Sequence, residues 1–387
     1  MIRRSTLLLA ALLLVPTGTV SAQNQYMEMA RRVLSSTPLI DGHNDLPWAI
    51  RQSEAAPHDV EAAVHDLRGT TPFHTDIARL RAGMVGAQFW SVYIPFSATE
   101  EGAAMVQLEQ IDIAHQIIER YPDVFELALD VSDIQRIYGQ GRIASLLGME
   151  GGHAIENSLG ALRGFFELGV RYMTLTHNGT LDWADAANGE PTHGGLTRFG
   201  QEVVREMNRM GMLVDLSHTS PATMNDALDV SEAPVIWSHA SARGVRDHPR
   251  NVPDQVLRRL SDNGGVVMVT FVPSFVSARD EATLADVADH IDHIAAIAGI
   301  EHVGIGSDFD GISSTPVGLE DVSTYPALFA ELSRRGWTEE DLRLLAGENV
   351  LRVMGEAEAV ARRLQRERPP STATIEGLDG PVSQDHE

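Results

Sequence analysis

A single (β/α)8 barrel is the fold this sequence predicts, and three observations carry the prediction. Eight short apolar or β-branched runs occur, at roughly 38–44, 85–94, 143–149, 170–176, 211–217, 233–238, 264–272 and 302–307; such runs are more often buried parallel strands than exposed ones. The longer stretches between them show helical periodicity. No linker or repeat divides residues 23–365, and no Gly-x-Gly-x-x-Gly follows the first run, which argues against the main competitor, an open doubly wound sheet. Eight parallel strands close a barrel that carries its chemistry at the C-terminal ends of the strands.

The elements follow in chain order. Arg3 and Arg4 precede an apolar run at 7–15, and Val20-Ser21-Ala22 offers a small-residue cleavage site. Residues 1–22 are therefore expected to be a signal peptide, since the run is too short to span a bilayer comfortably. Its removal would leave a periplasmic or secreted protein without a transmembrane anchor. Leu159, Leu162, Phe165, Phe166 and Leu168 form one helical stripe, and Leu284, Val287, Ile291, Ile294 and Ile297 another. Thr338 opens a late helix, with Glu339, Glu340 and Asp341 at its positive end. Residues 366–387, which include Pro369, Pro370, Gly377, Gly380 and Pro381, read as a polar tail that frays.

Composition excludes several classes of function. The chain of 387 residues is 43% hydrophobic, ordinary for a globular enzyme, and carries a formal charge of −24. Such a field repels nucleic acid and anionic lipid. There is no cysteine, hence no disulfide, thiolate ligand, cysteine nucleophile or lipidated N-terminal cysteine. All 30 basic residues are arginine, which removes Schiff-base chemistry, a lysine base and a carbamylated-lysine metal bridge. A ligand bridging two metals must then be an acid.

Metal-type residues gather at the ends of the strand-like runs. His43 and Asp45 end the first run, in Asp41-Gly42-His43-Asn44-Asp45, and Glu150 ends the third. His177, His218 and His239 end the fourth, fifth and sixth, and Asp308 the eighth. His43, Asp45, His218 and His239 supply four ligands, and a bridging Glu150 gives each of two ions three protein contacts with a position left for water. Nitrogen and oxygen donors without sulfur suit zinc best, with manganese or cobalt as substitutes. His177 and Asp308 then remain for supporting or catalytic roles, the first steadying an oxyanion and the second moving a proton. Asp310 shares the motif with Asp308; strand alternation puts both on one face, and Asp308 is preferred as nearer the barrel mouth. His153 reads as a hydrogen-bonded scaffold residue, and His58, His65, His74, His193 and His248 as solvated loop residues. Asn178-Gly179-Thr180 matches a glycosylation sequon but reads better as a tight turn.

These motifs resemble the membrane (renal) dipeptidase family. The resemblance covers nearly all of residues 30–355, through Asp41-Gly42-His43-Asn44-Asp45-Leu46-Pro47, Gly148-Met149-Glu150-Gly151, Leu175-Thr176-His177-Asn178, Asp215-Leu216-Ser217-His218, Ser238-His239-Ala240-Ser241, Arg250-Asn251-Val252-Pro253-Asp254, Gly306-Ser307-Asp308-Phe309-Asp310-Gly311 and Asn349-Val350-Leu351-Arg352-Val353. It implies a metal-dependent amidohydrolase-type barrel with two zinc ions, His43 and Asp45 on the first, His218 and His239 on the second, and Glu150 between them. It further implies that His177 contacts the substrate near the scissile carbonyl, that Asp308 shuttles the proton, and that Arg250 pairs with the terminal carboxylate of a dipeptide. The implied reaction is attack by a bridging hydroxide on the peptide bond, with C-terminal D residues tolerated. A homodimer is compatible with this reading. Two departures stand out: mammalian members have half-cystines and a lipid-anchor signal, and this chain has Thr270-Phe271-Val272-Pro273-Ser274 where a tyrosine near Val272 would be expected. The alternatives are a related amidohydrolase acting on another small amide, lactone or acylated amino acid, and a non-catalytic metal- or peptide-binding protein.

Overall fold

The computed structural model describes residues 17–100 and 102–381. Each expected run overlaps a strand, β4 and β7 running one and two residues past the expected ends: β1 (Leu39–Asn44), β2 (Val85–Ser91), β4 (Ile143–Glu150), β5 (Val170–Thr174), β6 (Leu213–Asp215), β7 (Ile236–Ala240), β8 (Val266–Val269) and β9 (Val303–Ile305). One strand was not expected, β3 (Phe125–Leu127). The sheet runs β2-β1-β9-β8-β7-β6-β5-β4-β3, and pairing of β2 with β4, from Ala87↔Ala144 to Ser91↔Gly148, closes eight parallel strands into a barrel. β3 lies against the start of β4, from Phe125↔Ile143 to Leu127↔Ser145, whereas β5 takes only the second half, from Leu147↔Val170 to Glu150↔Thr174. β3 thus covers a stretch of β4 backbone that β5 leaves unpaired. Three residues are too few to show a period in the sequence.

The barrel interior is filled by side chains, and glycine decides who fits. A methyl group at Gly148 would stand 2.0 Å from the Tyr172 ring. Its absence lets a fully buried tyrosine cross the barrel axis beneath the mouth.

Outside the strands, the two expected stripes become the helices Leu159–Glu167 and Leu284–Ala298. Thr338 caps Glu339–Arg343 in a reciprocal capping box with Asp341. Among the described residues, no helix is long and apolar enough to cross a membrane. Residues 1–16 of the expected signal peptide lie outside the described residues, and its cleavage site falls within the helix Thr17–Ser36.

The C-terminal segment departs from its expectation as a fraying tail. The helix Asn349–Glu367 is followed by a short helix, Ile375–Asp379, whose Ile375 is buried. The Asp379 carboxylate accepts from the backbone N–H groups of Arg198 (3.1 Å) and Phe199 (2.9 Å), at the start of the helix Arg198–Met210. Those N–H groups have no partner within their own helix, so an acid reaching them anchors the segment despite its polar composition. Residues 382–387 lie outside the described residues.

Candidate metal centre

Seven side chains converge at one end of the barrel. His43 lies in β1, Glu150 ends β4 and His239 lies in β7, while Asp45 follows β1 directly. His177, His218 and Asp308 stand just past the ends of β5, β6 and β9. Six of them are buried and Asp308 is half-buried. Where the strands stop short, the backbone turns sharply to aim the next side chain: His218 has φ 65° and Asp308 φ 69°. Residues other than glycine seldom adopt this left-handed conformation, and where they do the surrounding fold must hold them there.

Glu150 faces two sets of donors with its two oxygens. Oε2 lies 3.4 Å from His43 Nε2, which is itself 3.2 Å from Asp45 Oδ2. Oε1 lies 3.0 Å from His218 Nε2 and 3.3 Å from His239 Nε2. Asp308 groups with His43 and Asp45, and His177 with Glu150 and His218, the candidate donor atoms of each group lying within 4.8 Å of one another. The His177 ring lies between those of Tyr93 and His218, at centroid distances of 4.8 and 4.3 Å.

The two sets are oriented from behind. His43 Nδ1 is 2.9 Å from the Tyr172 hydroxyl, which donates to the Gly42 carbonyl (3.1 Å), so His43 donates from Nδ1 and leaves Nε2 free. His239 Nδ1 is 2.9 Å from Ser238 Oγ, which donates to Asp215 Oδ2 (2.6 Å). That carboxylate also accepts from Thr174 Oγ1. Asp41 is likewise fully engaged, accepting from Ser307 and from the Tyr325 hydroxyl at 2.7 Å. Tyr172, Ser238 and Asp215 escaped the sequence reading. For Ser238 the available cue was a hydroxyl directly before a ligand-type histidine; for Tyr172 there was none.

Burial alone would raise the Glu150 pKa and lower that of His43. Their opposite charges reverse both effects, aided by Tyr172 and Asp45 acting on His43 and by the His218 and His239 rings facing Glu150; Glu150 ends well below its ordinary value and His43 well above. Burial, then the charge of His43, pushes His239 down to about 3, and burial, then Arg250, holds His218 well below its ordinary value. Burial with Asp45 and Glu150 nearby raises Asp308 well above the carboxylate range.

The donor set fits divalent cations. His43 Nε2 and Asp45 Oδ1 are buried without hydrogen-bond partners, and the Nε2 atoms of His218 and His239 approach to 2.9 Å. Two ligating nitrogens and a carboxylate oxygen converging this closely are what a cation between them would satisfy.

Asp308 and Asp310 do not share a strand face, because β9 ends at Ile305 and both residues have left-handed backbone, with φ 69° and 67°. The β1–β9 pairing continues beyond the strands through Asp308 N to His43 O (3.1 Å) and Asp45 N to Phe309 O (2.9 Å), which sets Asp308 beside His43 and Asp45. Asp310 turns away: its Oδ1 accepts from His74 N (2.6 Å) and its N–H donates to His74 Nδ1 (3.0 Å). His74 is thus a clamp on the segment that carries Asp308, not a solvated loop residue. His74→Ala should lower turnover roughly ten- to hundredfold with metal content unchanged, since small displacements of a reacting group have effects of that size. Paired kinetics and metal analysis would check this.

Other histidines also differ from expectation. His65 is buried against the Asp59 carbonyl (2.7 Å), and the half-buried His248 accepts from Arg250 N (3.2 Å). His193 is exposed, as expected, though it also reaches the Leu181 carbonyl (2.8 Å). His58 is exposed, as expected. His153 is buried, as a scaffold residue would be; its ring faces the Ile94 and Pro95 carbonyls, but neither ring nitrogen makes a well-aligned hydrogen bond.

Arg250 reaches the centre from the loop after β7. It is only 4% exposed, lies over the Phe275 ring at 5.1 Å, and donates from Nη2 to His239 Nε2 (3.2 Å), while its Nε has no partner. A buried guanidinium with a free donor beside the ligands is equipped to receive a carboxylate.

A model of the membrane dipeptidase family (peptidase family M19) matches residues 27–368. Among solved structures, a probable dipeptidase PvdM from Pseudomonas aeruginosa is similar in fold, at TM-score 0.79 and 22% identity over 87% of this chain and 100% of that one. A metallopeptidase from Rhodobacter sphaeroides, liganded with a phosphinate mimic of the dipeptide L-Ala-D-Ala, is similar at TM-score 0.72 and 26% identity, over 83% and 99% of the two chains. The metallopeptidase dipeptidase AC is similar at TM-score 0.74 and 27% identity, over 83% and 98%.

Proposed function

We propose, from the premise that this chain belongs to the membrane dipeptidase family and is a metallo-dipeptidase, that it is an exported enzyme using two zinc ions to hydrolyse dipeptides, including those with a C-terminal D residue. The observation that carries the two-metal reading is the division of Glu150, Oε2 toward His43 and Oε1 toward His218 and His239. His43, Asp45 and Glu150 would hold one ion, and Glu150, His218 and His239 the other. Cations at these positions supply Lewis acidity, activating water and polarising a carbonyl near neutral pH.

The chain's own groups do the rest. Arg250 pairs with the terminal carboxylate and so sets the distance from that end of the substrate to the scissile bond. His177 faces the carbonyl oxygen on which charge develops. Asp308 accepts a proton from the attacking water and returns it to the leaving amine. The L-Ala-D-Ala mimic in the Rhodobacter sphaeroides relative supports a D residue on the carboxyl side, and the signal-type sequence of residues 1–22 supports export.

A panel of L-L and L-D dipeptides, assayed with and without chelator alongside metal analysis, tests the proposal. Chelator-sensitive cleavage and about two equivalents of metal are expected; no such cleavage of any member would sink it. N-terminal sequencing of the exported protein should begin near Gln23. Arg250→Met should cut kcat/KM for dipeptides roughly 10- to 100-fold, mainly through KM. Substrates with an amidated C-terminus should be nearly unaffected by the substitution, and equal losses on both would remove Arg250 from carboxylate binding.

A further inference from the structure

A cleft of about 1170 Å³ opens beside the metal centre, lined by His153, three residues past Glu150 in the chain. A methyl group at Gly151 would meet the His153 ring at 2.4 Å and His177 Cβ at 3.4 Å, so the cleft-lining His153 and the substrate-facing His177 crowd the same glycine. The loop that leaves His177 continues into the cleft wall as Gly179, Thr180 and Leu181.

The lining has a definite chemistry. Glu100, Glu156, Asp182, Glu190 and Asp379 contribute carboxylates, and no arginine lines the cleft. Three of these acids are engaged: Glu156 accepts from Ala104 N, Asp182 from Asn157 Nδ2, and Asp379 from Arg198 and Phe199. The Glu190 backbone carbonyl accepts from Thr180 and Thr192, but the carboxylates of Glu100 and Glu190 have no hydrogen bond or ion pair among the described residues. His153 provides an independent sign of a ligand, because it lines the cleft while only 5% exposed, and neither ring nitrogen makes a well-aligned hydrogen bond even though the Ile94 and Pro95 carbonyls are near. Leaving such a group unsatisfied is costly unless something visits it. Burial, and secondarily His177, holds its pKa down to about 4, so it is a neutral partner rather than a competing cation. Phe96, Leu181 and Ile375 supply apolar wall, suited to a methylene stem.

We infer that this cleft receives an organic cation, an ammonium or guanidinium group on a flexible stem, carried by the amino-terminal side chain of a dipeptide bound at the metal centre. The inference rests on the dipeptidase reading for its source of the cation, but not for the cation site itself. With Arg250 holding the carboxyl end, the amino-terminal residue extends past His177, toward the cleft.

Two measurements separate the cleft from the dipeptidase reading. The first compares kcat/KM for Arg-Ala, its uncharged isostere Nle-Ala, and Ala-Ala in wild type and in a Glu100→Gln/Glu190→Gln variant. A preference for Arg-Ala over Nle-Ala of roughly fivefold or more is expected, falling toward one in the variant and at high salt, with Ala-Ala unchanged. The second titrates agmatine, a free guanidinium compound, by calorimetry and needs no turnover. Binding lost in the variant, without an Arg-Ala preference, would overturn the substrate assignment and make the site one for a separate cation. Absence of both effects would overturn the cation site, whether or not Ala-Ala is cleaved.

Discussion

Replacing Glu150 with glutamine is expected to lower turnover on the order of 10³-fold or more and to reduce bound metal from about two equivalents to one or none. The substitution preserves size, so the fully packed end of β4 should fold as before. It removes the negative charge that lies 3.0–3.4 Å from His43, His218 and His239. It also turns one of two acceptor oxygens into an NH2 group pointed at ligand nitrogens. Whichever way the amide turns, one ligand set faces a donor where it had an acceptor. Mass spectrometry under native conditions would count the ions, and circular dichroism would confirm the fold. A variant that keeps both equivalents and full activity would show that Glu150 bridges nothing.

Asp308→Asn separates catalysis from metal holding. The expected result is a fall in kcat of about 10²- to 10⁴-fold, the usual contribution of a positioned proton-transfer group, with metal content intact. Asparagine retains the shape and the backbone bond from Asp308 N to His43 O, but it cannot carry a proton. Burial, reinforced by the charges of Asp45 and Glu150, raises the proton affinity of the Asp308 carboxylate, which suits a group that takes up a proton and later releases it. If the variant lost metal in proportion to activity, Asp308 would be a ligand instead, as its position within reach of His43 and Asp45 permits.

The residues that meet at the barrel mouth were legible in the sequence because a barrel gathers strand ends, and strand ends can be found from short apolar runs followed by polar residues. Glu150, His43 and His239 are read directly in this way. The supporting groups were not legible, for a physical reason: Tyr172 reaches His43 across the barrel through space left by Gly148, and His74 meets Asp310 over a separation of 236 residues. Neither contact leaves a local pattern. Asp308 and Asp310 show the limit of periodicity, since alternation fails once β9 has ended and the backbone turns left-handed. The C-terminal segment was misjudged because composition registers polarity, whereas its order depends on one acid meeting the open end of a distant helix.

The buried donors that lack partners at the barrel mouth tie folding to cation supply. Asp41 and Asp215 show how this protein satisfies a buried carboxylate when it can, with hydrogen bonds from every side. The atoms left over, His43 Nε2 and Asp45 Oδ1 among them, sit where a cation would complete them. A ligand that binds only the native state adds to its stability by mass action, about 1.4 kcal/mol for each tenfold rise in free ligand above Kd. The melting temperature of this barrel therefore becomes a gauge of free metal in its surroundings, and scarcity would act on the protein's lifetime as well as its rate.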